Sequence, residues 1–258
     1  MAPLRSSAEV PSPECPGSSG YHEGMPRILE PRHRPSSLLV APAALLLTAF
    51  LVPGLLILAG QGEPAFNGVD TQWQALIFTL HSPFWDQVNA FLNWLGYVGV
   101  LILEVLLVAV LLLWRRPKMA LFSALAALIA LGVTQLAKAV VGRDRPEGAK
   151  VLTDTGSYPS GHVSATAVFL MTLVLLTGKL WFKLLAIAGI LVTMASRTYL
   201  SAHWLSDVLG GACVGVGVTL LLWVPFMKIC IQENLSAVTS PVWQARASRR
   251  QPAEGQPE

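Results

Sequence analysis

The sequence predicts an all-α integral membrane protein built from six transmembrane helices. Three observations lead there. Of 258 residues, 53% are hydrophobic and only 13% charged, about half the charged share usual for a soluble domain. The apolar residues gather into runs long enough to cross the hydrocarbon core, which takes roughly 20 residues. Positive charge is also sorted: alternate connecting segments hold most of the 18 Lys and Arg, which marks those segments as cytoplasmic. The net charge of +3 is spread without a concentrated basic face, so a nucleic-acid partner is not expected. Cys15, Cys213 and Cys230 are too far apart for a disulfide framework or a zinc spacing and read as packing or tail residues.

Residues 1–36 are rich in Pro, Ser, Glu and Arg; they bury too little apolar surface to offset ordering entropy and are expected to form a disordered cytoplasmic tail. The six-span domain covers 37–228. Leu38 to Gly60 carries no charge and forms the first span, too long and too far from the start for a signal-peptide core. Gln61 to Gly96 mixes apolar, aromatic and polar residues at roughly helical spacing, as an interfacial segment or a lead-in to the second span does. That span is Tyr97 to Trp114, interrupted only by Glu104. The basic turn Arg115-Arg116-Pro117-Lys118 leads into the third span, Met119 to Val141. After a polar loop to Ser160, the fourth span is Val163 to Gly178. Lys179 to Lys183 is a turn, and the fifth span follows from Leu184 to Ser196, with Leu180 as an earlier possible start. The sixth is Val208 to Met227, followed by a polar tail over 229–258. Two of these runs are short and reach crossing length only by including polar residues at one end, which sets those residues at the bilayer edge.

With the 1–36 tail, the 115–118 and 179–183 turns and the C-terminal tail on the basic side, both termini are expected in the cytoplasm. Five cations break the bias: Lys138, Arg143, Arg145, Lys150 and Arg197 fall on the other side, in the segments that also hold His162, His203 and Asp207. Lys138 and Arg197 lie near helix C-termini, where a cation gains about 0.3–1 kcal/mol from the helix dipole. That accounts for two of the five and not for a basic cluster beside two histidines.

His203 and Asp207 are four apart and share a helix face if the sixth span has begun by His203. An aspartate accepting from one ring nitrogen leaves the other free to attack and stabilises the cation that results. Arg197 is six residues before His203, which on one helix would turn the two apart, so a turn through 198–202 is expected to fold it back. Ser160 and Gly161 open the fourth span, whose N-terminal amides offer an anion site, and His162 stands beside it to move a proton. Lys138 and Arg145 add positive charge, the arginine as a fork matched to phosphate oxygens. Together these groups suit phosphoryl transfer, which needs equatorial charge stabilisation, an in-line nucleophile and a protonated leaving group. Taken alone, His203 would read as an interfacial residue. His162, His203 and Asp207 as three ligands could instead hold zinc, but the surrounding cations favour an anion.

Lys138…Arg145-Pro146, Pro159-Ser160-Gly161-His162 and Ser196-Arg197…His203…Asp207 resemble the type 2 phosphatidic acid phosphatase signature K-x6-RP, PSGH and SR-x5-H-x3-D at every motif position and in the family's order. The resemblance covers about residues 38–227. It implies six transmembrane helices around a helical core, attack on phosphorus by His203, orientation of His203 by Asp207, and proton transfer by His162. It implies phosphate binding by Lys138, Arg145, Ser160, Gly161 and Arg197. It implies no catalytic metal and no cofactor, although relatives with these motifs bind vanadate. Arg143 and Asp144 fall in the variable gap and receive no role.

The expectation is a lipid phosphatase of the cytoplasmic membrane with its site on the extracytoplasmic side. Its expected partners are a lipid phosphate substrate and membrane lipids. A polyprenyl diphosphate is preferred, then phosphatidate or phosphatidylglycerol phosphate. The alternatives are a lipid phosphotransferase using the same phosphohistidine and a non-catalytic lipid or anion transporter. Of the remaining polar residues, His81 has no evident partner, and Trp73, Trp85, Tyr199 and Trp204 read as belt or packing residues. Glu104 carries no functional expectation, His22 and His33 read as solvated, and Asp154 and Tyr158 are candidates for the pocket mouth.

Overall fold

A computed structural model of the chain describes residues 36–151 and 156–238, which all fall in one compact unit. The expectations for the 1–35 tail, Cys15, His22, His33, Asp154 and the tail beyond 238 lie outside the described residues. Within them the protein is all-helical: α1 (Val40–Ala59), α2 (Asn67–Phe78), α3 (Pro83–Trp94), α4 (Val100–Leu113), α5 (Pro117–Val141), α6 (Gly161–Thr177), α7 (Leu180–Tyr199) and α8 (Leu205–Val238). Four stretches are long and apolar enough to cross a membrane: Ser37–Ala59, Pro117–Val141, Leu180–Tyr199 and Leu205–Leu235. The apolar helices α4 and α6 are shorter; of the two runs that the sequence marks as short, the fourth and fifth spans, α6 stays short and α7 reaches crossing length over Leu180–Tyr199.

Local chemistry sets the boundaries. Pro117 opens α5, where a missing N–H costs nothing. Gly142, at φ 58°, ends it in the left-handed conformation that a Cβ disfavours. Ser82 caps α3 by accepting from the Trp85 N–H at 3.4 Å, with Pro83 in the first position. Only Gly178 and Lys179 separate α6 from α7; the turn expected over 179–183 is shorter because Lys183 already lies on the helix. The segment expected to be interfacial holds α2 and α3, and α3 continues through a π-helical turn, Leu95–Gly99, into α4.

Helix α8 is the hub, packed against α1, α6 and α5. Its close approach to α6 rests on two glycines one turn apart. A Cβ on Gly211 would lie 2.5 Å from the Ser160 carbonyl, and one on Gly215 would lie 2.6 Å from that of Ser164. Small residues at this spacing let helix backbones touch where no hydrophobic force drives association. The consequence for function is direct: the α6 N-terminus, with Ser160 and His162, is fixed against the α8 N-terminus, with His203 and Asp207.

The other end of α8 differs from the sequence expectation. A span ending at Met227 and a tail were expected, but the helix runs on to Val238. Cys230 is buried against Trp223 and Phe122, and Asn234 accepts from the buried Arg116. Tyr158, expected at a pocket mouth, is instead a core residue. It is 1% exposed, stacks on Phe50, donates to the Phe50 carbonyl and lies against Gly54 and Gly210. Glu104 meets the Ser123 hydroxyl at 2.6 Å inside the helix bundle.

Candidate active site

The site forms where the start of α6, the end of α7 and the start of α8 meet the α5–α6 loop. Helix α7 stops at Tyr199, and Ser201 takes a positive φ of 51°. The Ala202 N–H donates back to the Arg197 carbonyl at 3.2 Å. This is the turn that the Arg197–His203 spacing required.

His203 precedes α8 by two residues, so it does not ride on that helix as the shared-face argument assumed. Its Nδ1 lies 2.8 Å from the Ser157 carbonyl and 3.7 Å from Asp207 Oδ2. A carbonyl only accepts, so Nδ1 carries the proton and Nε2 is left with its lone pair. The expected orienting role of Asp207 is therefore shared: the backbone of Ser157 makes the hydrogen bond, and the carboxylate acts at longer range. Asp207 is tied into the helix start. Its Oδ2 accepts from the Trp204 N–H at 2.8 Å, the half of a capping box in which the third helical residue reaches back. Burial pushes the His203 imidazole down to about 4, with Asp207 pulling the other way and the charges of Arg197 and Lys138 lowering it further. The ring is thus neutral at physiological pH.

Nε2 faces Arg145, whose Nη1 is 3.5 Å away and donates to the Ala202 carbonyl at 2.8 Å. Lys138, buried at the end of α5, donates to the Gly156 carbonyl at 2.6 Å. Arg197 is buried and donates to Asn93 Oδ1. His162 stands within electrostatic reach of Arg197, His203 and Lys138 and meets the Asn93 backbone. Ser160 directly precedes α6, and its N–H donates to the Asp207 carbonyl at 2.9 Å. That amide is consumed, so the anion-binding potential of the helix start passes to the amides from Gly161 onward. The hydroxyls of Ser160 and Ser196 and the Arg197 Nε are buried without a hydrogen-bond partner. A buried unpaired donor is costly, and three together beside a cation cluster fit a site shaped for an oxyanion. Of the eight expected site residues, Asp207 and Arg145 lie within 3.7 Å of the His203 ring, Lys138, Arg197 and His162 lie within its electrostatic reach, and Ser160 and Gly161 stand at the adjoining helix start.

Four residues that the motifs did not single out complete the surroundings. Asn93 holds Arg197 and borders His162. Gly96, in the π-helical turn, leaves room for the His162 ring: a Cβ there would lie 3.3 Å from its Cδ2. Arg143, set aside as part of a variable gap, is 2% exposed and bonds both Asp207 and Asp70 at 2.8 Å. Asp70 comes from α2. The available signal was its register: Asp70 lies seven residues before Ile77, on the face that α2 buries, and an acid on such a face requires a cation. His81 also has a partner, the Tyr199 carbonyl at 2.9 Å from its Nε2. The Tyr199 hydroxyl donates to Asp86 at 2.8 Å, and Lys150 reaches Asp86 at 2.6 Å. Lys150 and Tyr199 hold Asp86 below the usual carboxylate range.

Residues 118–229 match the model of the PAP2 superfamily. Over 78 residues the chain is 33% identical to an undecaprenyl-diphosphatase of Sulfolobus acidocaldarius, a stretch covering 30% of this chain and 34% of that protein. Over 88 residues it is 39% identical to a lipid A 1-phosphatase of Porphyromonas gingivalis, covering 33% of this chain and 19% of that protein. The matches thus span about a third or less of these relatives' lengths. The fold is similar to the crystal structure of a transmembrane PAP2-type phosphatidylglycerolphosphate phosphatase from Bacillus subtilis, with TM-score 0.64 and 24% identity over 73% of this chain and 97% of that one.

Proposed function

We propose that the chain, whose residues 118–229 match the model of the PAP2 superfamily, is a membrane phosphatase that hydrolyses a lipid phosphate or diphosphate through a phosphohistidine on His203. His203 Nε2 attacks phosphorus in line while the bond to the leaving oxygen breaks, and His162 gives that oxygen its proton. Water then attacks phosphorus, His162 takes its proton, the P–Nε2 bond breaks and inorganic phosphate leaves. Lys138, Arg145, Arg197, Ser160 and the amides from Gly161 onward hold the non-bridging oxygens, and Asp207 offsets the charge that His203 gains. The positive charge comes from side chains, so no metal is required. The protein crosses the membrane six times, with α4 and α6 completing the four longer spans. Both termini are cytoplasmic, and the site opens at the extracytoplasmic leaflet.

The observation that carries this reading is the presentation of His203: Nδ1 held by the Ser157 carbonyl, Nε2 turned toward Arg145, with two further cations bearing on the ring. The preferred substrate is a polyprenyl diphosphate, supported by likeness to an undecaprenyl-diphosphatase. Phosphatidate and phosphatidylglycerol phosphate come next. The test is phosphate release by purified protein from a panel of lipid phosphates and diphosphates in 18O-labelled water, with His203→Ala as the blank. We expect one labelled oxygen in the released phosphate and no release from the variant. Full release by His203→Ala overturns the reading, and unlabelled phosphate overturns hydrolysis.

A further inference from the structure

We infer that Asp70 and Arg143 are positioning residues for the reaction: with Asp207 they form a buried triad that delivers one net negative charge to His203. The inference rests on the phosphohistidine reading and adds to it two residues outside the motifs, one of them on a different helix.

The geometry is specific. Arg143 spans the two acids, with Nη2 2.8 Å from Asp70 Oδ2 and Nη1 2.8 Å from Asp207 Oδ1. All three residues are 2% exposed or less. Nη1 also lies 2.8 Å from the Ser206 hydroxyl. Asp70 in turn accepts from the Ser206 N–H at 2.9 Å and from its hydroxyl at 2.6 Å. The guanidinium lies 5.3 Å from the centre of the Trp204 ring. Arg143 therefore takes the Asp207 oxygen that points away from the nucleophile, leaving Oδ2 toward Nδ1 at 3.7 Å.

The charge balance gives Asp70 its purpose. Arg143 paired with Asp207 alone would cancel the carboxylate, and His203 would face a neutral pair. A second carboxylate restores one net negative charge, held in a low-dielectric setting where it acts strongly. That charge matters most when the P–N bond forms and the imidazole becomes cationic. It matters little for the phosphate, which the triad does not touch. A nearby negative charge opposes dianion binding, so Asp70 assists the chemical step and disfavours the bound ground state. A purely structural ion triad has no such signature.

The experiment measures kcat, KM and orthovanadate inhibition for purified Asp70→Asn, Asp70→Glu, Arg143→Lys and Asp207→Asn, with His203→Ala as the blank, on the best substrate of the panel. Asp70→Asn should lower kcat by ~10-fold or more while KM and the vanadate inhibition constant stay level or fall. Asp70→Glu, which keeps the charge, should recover most of kcat. In the Asp207→Asn background, Asp70→Asn should cost less than about threefold more, because the charge it supports is already gone. Arg143→Lys should also lower kcat by ~5-fold or more at unchanged KM, since one ammonium lacks the fork that spans both acids. It decides the matter if Asp70→Asn does not fold. The inference is overturned if the folded variants keep wild-type kcat, if the loss appears in KM with kcat intact, or if the Asp70 and Asp207 losses multiply. Turnover by His203→Ala, or none by the wild type, overturns the phosphatase reading itself and this inference with it.

Discussion

The bundle has a buried arginine at each end, and the two ends treat it differently. Away from the site, Arg116 is 0% exposed and donates to Asn234 on the far part of α8. Next to it, Glu233 accepts from the N–H groups of Lys118 and Met119 at 2.8 and 2.9 Å, a carboxylate placed where the α5 dipole favours negative charge. Those polar groups tie α8 to the α4–α5 turn. At the other end, Arg145 Nη1 lies 3.5 Å from His203 Nε2 and the Arg197 charge bears on the same ring. There the hydroxyls of Ser160 and Ser196 and the Arg197 Nε are buried unpaired. Buried charge alone is thus no mark of function. What sets the site apart is that Lys138, Arg145 and Arg197 all bear on one histidine ring, whereas Arg116 stands beside an amide and a carboxylate.

If that contrast holds, mutations at the two ends should separate activity from stability. The largest effects are expected at the site: Arg197→Ala or Lys138→Ala should lower kcat/KM by about 10²–10³-fold, as loss of one oxyanion donor does, measured by phosphate release. Melting in detergent should change little, because removing one of several like charges relieves repulsion. Arg116→Ala should do the reverse. Losing the hydrogen bond to the buried Asn234 amide costs about 1–3 kcal/mol, read as a lowered melting temperature, while the folded fraction keeps its kcat. Equal activity loss at both ends would erase the distinction.

The two ends are unequally legible in the sequence for a physical reason. His162, His203, Asp207, Lys138, Arg145 and Arg197 are legible because each lies within a short segment whose spacing constrains it, and because ionisable groups at a bilayer edge are costly. Asp70, Asn93 and Asn234 are not. Each meets its partner across more than a hundred residues of chain, from Asp70 to Ser206, Asn93 to Arg197 and Arg116 to Asn234, and no local period encodes such a pairing. Arg143 was missed because motif spacing says which positions match and nothing about the gap between them. The α8 extension was missed because residues 228–238 are polar enough to read as a tail, while their buried members, Cys230 and Asn234, sit four apart on one face.

The glycine contact between α6 and α8 sharpens the comparison from a third position. Gly215→Leu should destabilise by about 1–3 kcal/mol through overpacking. It should also lower kcat, because it pushes apart the two helix starts that hold His162 and His203. A melting change with intact kcat would show that the helices need not be in close register for the chemistry.

The pH dependence follows from the lowered His203 value. The folded protein holds this ring neutral down to about 4, whereas an unfolded chain protonates it near the ordinary histidine value of about 6.5. Between those values the unfolded state binds more protons, so stability should fall as pH drops through that window. His203→Gln should lose that part of the slope. On the acid side, kcat/KM should hold below pH 6.5 as far as His203 controls it, since the nucleophile is already deprotonated. An acid limb of His203 centred near 6.5 would contradict the buried, neutral ring.

The smallest effect is expected at the exposed Lys150–Asp86 pair, whose side chains are 32% and 44% exposed. Lys150→Met should change stability by less than about 1 kcal/mol, as solvent-screened pairs do, with the change shrinking further at high salt.

The most direct test of the account is to quench turnover in alkali, where phosphohistidine survives, and locate the phosphoryl group by peptide mass spectrometry. The account predicts phosphate on Nε2 of His203, present during turnover and absent from His203→Ala. Phosphate released at the wild-type rate with the covalent group on another residue, or with His203 replaced, would contradict it.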